Sequence, residues 1–170
     1  MKNIWRKKNG VIRFDLPSTD RTTGPQWIKR LKNKGFRVGK DAKSILLSPN
    51  FKPTIRVVNQ VAVLKGMLFE DNDRITVKIR AEAQKRGWTK PNAEIACLIR
   101  ESFSDEELEA MGLWGIIAMH DPIKDSGGDP NLLGADRDGD GQWLNAYCDN
   151  PVDRWYRDFG FAFVASQVGA

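Results

Sequence analysis

The sequence predicts an α+β fold, in which the main helices form one group between strands instead of alternating with them. Two observations predict it. Apolar runs typical of strands occur near the start of the chain and again in its last third. Three segments with helix-capping residues and an apolar stripe lie between those strand signals. A chain of 170 residues, 41% of them hydrophobic, can bury a core and is long enough for one domain plus a small module.

Residues 1–54 predict a small basic strand–helix–strand–helix (βαβα) module with its linker. Apolar side chains alternate over residues 12–16, which is typical of a strand. A helix is predicted to start at Thr23, a short strand to follow at residues 36–38, and Asp41 to cap a second helix. Two prolines near the end of this segment prevent a helix from continuing and indicate a linker.

Residues 55–170 predict the larger domain. Its strands are identified by apolar runs, and its helices by apolar side chains at helical spacing after a capping residue. The predicted elements are, in order, a strand at 57–64, a helix at 71–86 capped by Asp71 or Asp73, a helix that starts near Thr89, a helix begun by the capping box of Ser104 and Glu107, a strand at 114–120, a long loop, and strands at 142–147 and 161–165.

The net charge of +5 is distributed unevenly along the chain. Residues 1–56 contain 15 Lys and Arg against 3 Asp and Glu, a net of +12, and residues 57–170 contain 12 against 19, a net of −7. A basic segment of this kind can bind nucleic acid, or it can be the solvated face of an amphipathic helix. We favour the solvated face, because no nucleic-acid-binding motif accompanies the charge. Nucleic acid would be bound through the basic residues Arg6, Lys7, Lys8, Lys29, Arg30, Lys32 and Lys34.

Targeting signals and cysteine usage favour synthesis in the cytoplasm. The N-terminus is basic but lacks the apolar stretch of a signal peptide, and no run has the length of a membrane span. Cys97 and Cys148 provide no disulfide framework. We therefore expect a protein that is cytoplasmic as synthesised, with its final location open.

The most informative stretch lies near the C-terminus, between the last two predicted strands. It contains Asp, Asn, Gly, Pro, Tyr, Cys and Arg in no periodic order. Binding residues are commonly carried by loops that flanking strands hold in place. Aromatic residues beside small polar residues also dominate the binding loops of antibodies. The stretch is therefore a candidate binding loop, and a polar connection without a partner is the alternative.

This tail resembles the variable region of the target proteins of diversity-generating retroelements. The resemblance is carried by Trp-Leu-Asn-Ala-Tyr at 143–147, Asn-Pro-Val-Asp-Arg-Trp at 150–155 and Gly-Phe-Ala-Phe at 160–163. Residues 57–134, notably 90–101 and 118–123, also resemble the body of small bacterial proteins that carry such tails. Together these similarities cover about two thirds of the chain.

The resemblance implies a C-type-lectin-like domain, a mixed sheet with two or three helices that displays residues varied by replacement of adenines in the coding sequence. Gln142, Trp143 and Trp155 cannot arise from a varied Asn codon, so the resemblance makes them fixed scaffold. It implies no enzymatic activity, and it implies binding of an unknown macromolecular ligand, expected to be a protein. The implied ligand-binding residues are Asp138, Asp140, Asn145, Tyr147, Cys148, Asp149, Asn150, Asp153, Tyr156, Asp158 and Phe159.

A calcium-stabilised structural module is a further alternative. Asp136, Asp138 and Asp140, followed by Gly141, match the first half of a calcium loop. An EF-hand would need a bidentate Glu where the chain has Tyr147, so only a calcium loop of another kind remains possible. We expect no other cofactor.

Catalytic patterns are weak in this sequence. His120 is the only histidine, and we interpret it as a structural residue because it stands beside Asp121 and Pro122 at the end of a predicted strand. A catalytic pair of His120 with Cys148 is conceivable, but nothing in their spacing supports it. Phosphate-binding glycine loops of the Walker or dinucleotide type do not occur. The sequence therefore predicts a protein that is not an enzyme.

Overall fold

The computed structural model describes residues 4–169, and over these residues the fold is α+β, as the sequence predicts. The strands of the described chain are β1 (Trp5–Lys8), β2 (Val11–Asp15), β3 (Arg37–Val38), β4 (Val57–Lys65), β5 (Gly115–Ala118), β6 (Ile123–Lys124), β7 (Pro130–Asp138), β8 (Gly141–Cys148) and β9 (Phe159–Gly169). The α-helices are α1 (Gly24–Asn33), α2 (Lys40–Leu46), α3 (Thr76–Lys85), α4 (Glu94–Ser102) and α5 (Asp105–Ala110).

All strands belong to one mixed sheet in the order β1-β2-β4-β9-β5-β7-β8-β3, with β6 paired to β7. Strand β9 lies in the middle, antiparallel to β4 and parallel to β5. Strands β7 and β8 form an antiparallel hairpin beside β5. The C-terminal strand is thus held on both sides, which fixes the position of the loop that precedes it.

Each face of the sheet is covered by its own hydrophobic core. Alternation along β4 sends Val61 and Val63 to the core that contains side chains of α1, α2, α4 and α5. The same alternation sends Ala62 and Leu64 to the second core, which contains side chains of α3 and the aromatic residues of the C-terminal region. None of the helices within residues 4–169 combines the length and apolar character needed to cross a membrane.

The segments on either side of residue 54 share this sheet. Strand β2 pairs with β4, and β3 pairs with β8. Phe14 of β2 also packs edge-on against Phe103, with ring centroids 4.7 Å apart. The assignment of 1–54 and 55–170 as separate domains stays a prediction, and the two segments have no separate sheets.

Two capping predictions are confirmed. Thr23 caps α1 and Ser104 caps α5, each in a reciprocal capping box with the residue three positions later. Three other helix starts are wrong. Asp41 lies in the first turn of α2, Asp71 and Asp73 form a 3-10 turn ahead of α3, and α4 starts at Glu94 because Thr89 forms a bridge to Val164.

The predicted long loop before residue 142 is also wrong, because β6 and all of β7 lie within it. Six consecutive residues of β7, from Asn131 to Asp136, are buried. A strand buried on both faces lacks the period-two alternation by which strands are recognised. The short edge strand β1 was likewise not predicted.

Candidate ligand-binding site

The loop between β8 and β9, residues 149–158, is fixed to the turn before α3 by hydrogen bonds. Trp155 N donates to Arg74 O at 2.9 Å, and Arg74 Nε donates to Trp155 O at 2.8 Å. The indole Nε1 of Trp155 donates to Thr76 Oγ1 at 3.0 Å, and that hydroxyl donates to Asp149 Oδ1 at 2.7 Å. The loop is therefore anchored at Asp149 and Trp155, and the residues between and after them are exposed.

Asp149 and Phe159 are buried, so the expectation that both side chains are displayed is wrong. Asp149 accepts the Thr76 hydrogen bond and lies 3.6 Å from Arg80, which compensates for burial of its charge. Phe159 is the first residue of β9, and its ring packs edge-on against Tyr147 in the second core. Both side chains therefore lie beneath the loop and hold it in position, Asp149 by its hydrogen bond and Phe159 by its packing.

Tyr147 and Asn145 are bound to a buried carboxylate. The Tyr147 hydroxyl donates to Asp136 Oδ2, and Asn145 Nδ2 donates to both carboxylate oxygens of Asp136 at 3.0 and 3.1 Å. Burial raises the pKa of Asp136, although these hydrogen bonds act in the opposite direction. Burial, followed by the charge of Asp136, raises the pKa of Tyr147 well above its usual value. The two side chains are half-buried, and their polar groups are used in hydrogen bonds within the β7–β8 hairpin.

A small cavity of about 180 Å³ opens where the end of β8 meets the loop. Six of the eleven predicted binding residues contribute to its walls. The lining residues are Tyr147, Cys148, Asn150, Asp153, Arg154, Trp155, Tyr156 and Phe159. The structure therefore brings these predicted residues together although up to twelve positions separate them in the sequence.

Tyr156 separates this cavity from a second, open cleft. Its side chain is 72% exposed, which makes it the most exposed aromatic residue among the described part of the chain. The second cleft has a volume of about 500 Å³ and is lined by Met67, Gly112, Tyr156, Arg157 and Asp158. Asp158 is thus exposed as predicted, but it faces the second cleft instead of the cavity.

Asp138 and Asp140 lie at the other end of β8. Asp138 is the last residue of β7, and Asp140 is in the turn that joins the two strands. Six residues of strand, 141–146, separate that turn from the cavity, a distance of about 23 Å. Asp138 accepts a hydrogen bond from Gly139 N at 2.7 Å, and Asp140 accepts one from Trp143 Nε1 at 2.9 Å. Both are exposed, but they do not belong to the same surface region as the cavity.

The calcium alternative is not supported by the placement of its three carboxylates. Asp136 is buried and bound to Asn145 and Tyr147, whereas Asp138 and Asp140 are exposed at the turn. Within residues 4–169, no three His, Cys, Asp or Glu side chains are grouped so that they could hold a metal ion.

The basic residues of the N-terminal segment are spread over different surfaces. Arg30 is bound by Glu101 and Asp20, and Lys34 also contacts Glu101. Successive side chains of β1 point to opposite faces of the sheet, so Lys7 does not share a face with Arg6 and Lys8. This arrangement is closer to a solvated face than to a continuous nucleic-acid-binding surface.

His120 is a structural residue in this fold. Its Nε2 accepts a hydrogen bond from Leu133 N at 2.9 Å, so Nδ1 carries the proton and donates to Asp121 O at 2.7 Å. Burial is the main cause that lowers its pKa to about 4, and the charge of Arg80 acts in the same direction. The ring therefore joins β7 to the end of β5 in its neutral form.

This neutral histidine predicts acid sensitivity. The pKa of His120 falls from 6.5 in the unfolded chain to about 4 in the folded protein. The contribution of the neutral ring to the free energy of unfolding is fully present above pH 6.5. It is lost as the pH falls from 6.5 towards 4, and the loss amounts to up to about 3 kcal/mol. Urea unfolding of the wild type and of His120→Gln at pH 7 and 4.5 measures it. We expect the wild type to lose more stability between these pH values than the variant, and equal losses would contradict the assignment.

Several residues of this region could not have been identified from sequence patterns. Thr76, which accepts the indole hydrogen bond of Trp155, lies 79 positions away from it and belongs to no motif recognised in the sequence. The sequence pattern indicates Asp136 only as a calcium ligand, because its role as acceptor for Tyr147 depends on the register of the β7–β8 hairpin. No local signal in the sequence indicates either contact.

Comparisons of the chain with models of protein families, with curated proteins and with solved structures gave no match.

Proposed function

We propose that the protein is a non-enzymatic binding protein that recognises another protein through a surface formed by its C-terminal region. We call this surface the loop face and define it by Cys148, Asn150, Val152, Asp153 and Tyr156. The observation that carries the proposal is the convergence of six predicted binding residues on one cavity whose floor is fixed by buried aromatic rings. A rigid support under exposed polar and aromatic side chains lowers the entropic cost of binding.

The groups at the cavity favour recognition over catalysis. Partial burial and the neighbouring carboxylates raise the pKa of the Cys148 thiol, so it lacks the thiolate character of a nucleophile. The Tyr147 hydroxyl is bound to Asp136. Both ring nitrogens of His120 are used in backbone hydrogen bonds, so it is not free to act as a base.

The dimensions of the cavity favour a macromolecular partner. Binding sites for small molecules usually enclose about 300–1,000 Å³. At about 180 Å³, this cavity is suited to a single side chain of a larger ligand. Tyr156 and Val152, which are 72% and 76% exposed, supply apolar contact area beside it. Exposed aromatic residues next to a pocket are typical hot spots of protein interfaces.

We further propose that the loop face is diversified and that residues 55–170 are a C-type-lectin-like body. Two features support this. The helices α3, α4 and α5 precede the strands that carry the loop face, and the chain closes with a strand that contains Gly160 and Phe161. Trp155, which cannot arise from a varied Asn codon, is buried beneath the loop, whereas Asn150 and Tyr156 are exposed.

Genomic DNA around the coding sequence tests the diversification directly. We expect a near-copy of the codons for residues 136–160 close to a reverse-transcriptase gene, differing from them only at adenines. A near-copy whose differences fall at all four bases would contradict diversification. Binding by the loop face does not depend on this result and is tested separately.

Replacing Tyr156 by alanine should weaken binding without loss of stability. Peptides selected from a random library on the immobilised full-length protein provide a defined probe. We expect these peptides to bind Tyr156→Ala about tenfold more weakly, as for an aromatic hot spot. Val77→Ala is the matched control, because Val77 is an exposed apolar residue of α3 outside the loop face. Equal affinity of the peptides for wild type and Tyr156→Ala would contradict the proposed site.

A further inference from the structure

Lys65, the last residue of β4, is a buried lysine without a partner among the described residues. Its side chain is only 7% exposed. No hydrogen bond or ion pair joins its ammonium group to any other residue of the part of the chain that the structure describes. Its ammonium group keeps some contact with solvent, because Nζ is not one of the fully buried atoms without a partner among the described residues. Lysine side chains this deeply buried are usually paired, since an ammonium group that loses most of its water and gains no partner is destabilised.

The ammonium group of Lys65 lies next to Gly112, one of the residues that line the open cleft beside Tyr156. A β-carbon added to Gly112, which lines that cleft, would lie 2.8 Å from Lys65 Nζ. Glycine at this position therefore leaves room for the ammonium group. The following residue, Gly66, packs against the backbone carbonyls of Tyr156 and Arg157, which form part of the same wall.

The cleft combines positive charge with apolar walls. Arg157 lines it, and Lys7 adds to the positive potential at Lys65. Asp158 is the one negatively charged residue in its lining. Met67 and Tyr156 supply apolar surface, and both are largely exposed. Burial, followed by repulsion from Lys7, lowers the pKa of Lys65. A bound anion would raise this pKa again, because it stabilises the charged form.

We propose that this cleft, the Lys65 cleft, is the subsite for a carboxylate group of the partner, the side chain of an Asp or Glu. Lys65 forms the ion pair that it lacks in the free protein, and Met67 and Tyr156 pack against the methylene groups of the acidic side chain. A carboxylate fits better than a phosphate because Asp158 repels a dianion more strongly than a single charge. The inference rests on the proposed function for the identity of the partner as a protein.

Acetate and inorganic phosphate are the probes that test the subsite without any knowledge of the partner. NMR spectra of the isotope-labelled full chain are recorded during titration with each anion at constant ionic strength. We expect acetate to shift the Gly112 amide and the Lys65 Cε resonances with a dissociation constant in the millimolar range and to raise the pKa of Lys65. No saturable shift at these two positions would overturn the proposal. Stronger binding of phosphate than of acetate would overturn the assignment to a carboxylate.

Lys65→Met removes the charge and keeps an apolar side chain of similar length. We expect it to weaken acetate binding at least about tenfold, whereas Lys124→Met, at an exposed lysine of β6, leaves it unchanged. Equal acetate affinity of wild type and Lys65→Met would overturn the proposal, and the wild-type titration decides alone if Lys65→Met does not fold.

Peptides selected on the wild type should be enriched in Asp and Glu. Acetate binding without such enrichment would leave the subsite in place and contradict only the use of it by a protein partner.

Discussion

Replacement of Trp155 by alanine is expected to destabilise the protein by about 3–5 kcal/mol, the usual cost of removing a large buried aromatic side chain. The ring is 9% exposed and packs edge-on against Tyr147 and Phe161, with centroids 6.1 and 5.8 Å away. Its loss would open a void in the second core. It would also leave Thr76 Oγ1 without the hydrogen bond from the indole. Urea unfolding at pH 7 measures the effect.

The neighbouring Tyr156 provides the control for this substitution. Tyr156→Ala changes an exposed aromatic side chain in the same loop, so we expect a change within about 0.5 kcal/mol. Trp155→Phe keeps an aromatic ring but removes the indole donor and part of the buried ring volume, and its stability should lie between those of the two alanine variants. If Trp155→Ala were as stable as Tyr156→Ala, the loop would not be anchored by Trp155, and the rigid support assumed for the loop face would be absent.

Local signals in the sequence were sufficient where a structural feature depends on a few consecutive residues. The capping boxes at Thr23 and Ser104 were predicted from residues three positions apart, and both are present. The start of α3 was not, because Asp71 and Asp73 have the composition of caps but pair with Arg74 and Lys78. A capping residue in the sequence indicates that a cap is possible, and tertiary contacts decide whether it forms.

The sequence predicted which residues belong to the candidate site better than it predicted the direction of their side chains. Residue types alone placed Asn150, Asp153 and Tyr156 on an exposed loop, and the structure exposes all three. They could not show that Phe159 points into the core, since its direction follows from the register of β9 with β5. Nor could they show that Asp149 is paired, because its partner Thr76 is 73 positions away. Long-range pairing of this kind has no signature in a single sequence.

Arg100 is expected to show the second large effect, a loss of about 3–5 kcal/mol in Arg100→Met. Its side chain is completely buried between α4 and the β7–β8 hairpin. The guanidinium donates to Asp136 O at 3.0 Å and to Phe103 O at 2.7 Å, and it lies 3.1 Å from Asp105. Methionine keeps much of the volume but leaves these acceptors without a donor, and it leaves the Asp105 charge without its partner.

Two measurements separate this role from a general effect of losing a charge. Arg86→Met breaks a surface pair with Glu82 one helical turn away, and we expect it to change the free energy of unfolding by about 0.5 kcal/mol or less.

Burial raises the pKa of Asp105, and the charge of Arg100 counteracts that rise. Without Arg100 the folded protein binds a proton at Asp105 more readily, so the deficit of Arg100→Met should shrink as the pH falls through the range in which Asp105 titrates. If Arg100→Met were as stable as the wild type, the free energy needed to desolvate the guanidinium would equal the stabilisation that its hydrogen bonds and ion pair provide. The hairpin that carries Asp136 and Tyr147 would then be held by strand pairing and hydrophobic packing, without a net contribution from Arg100.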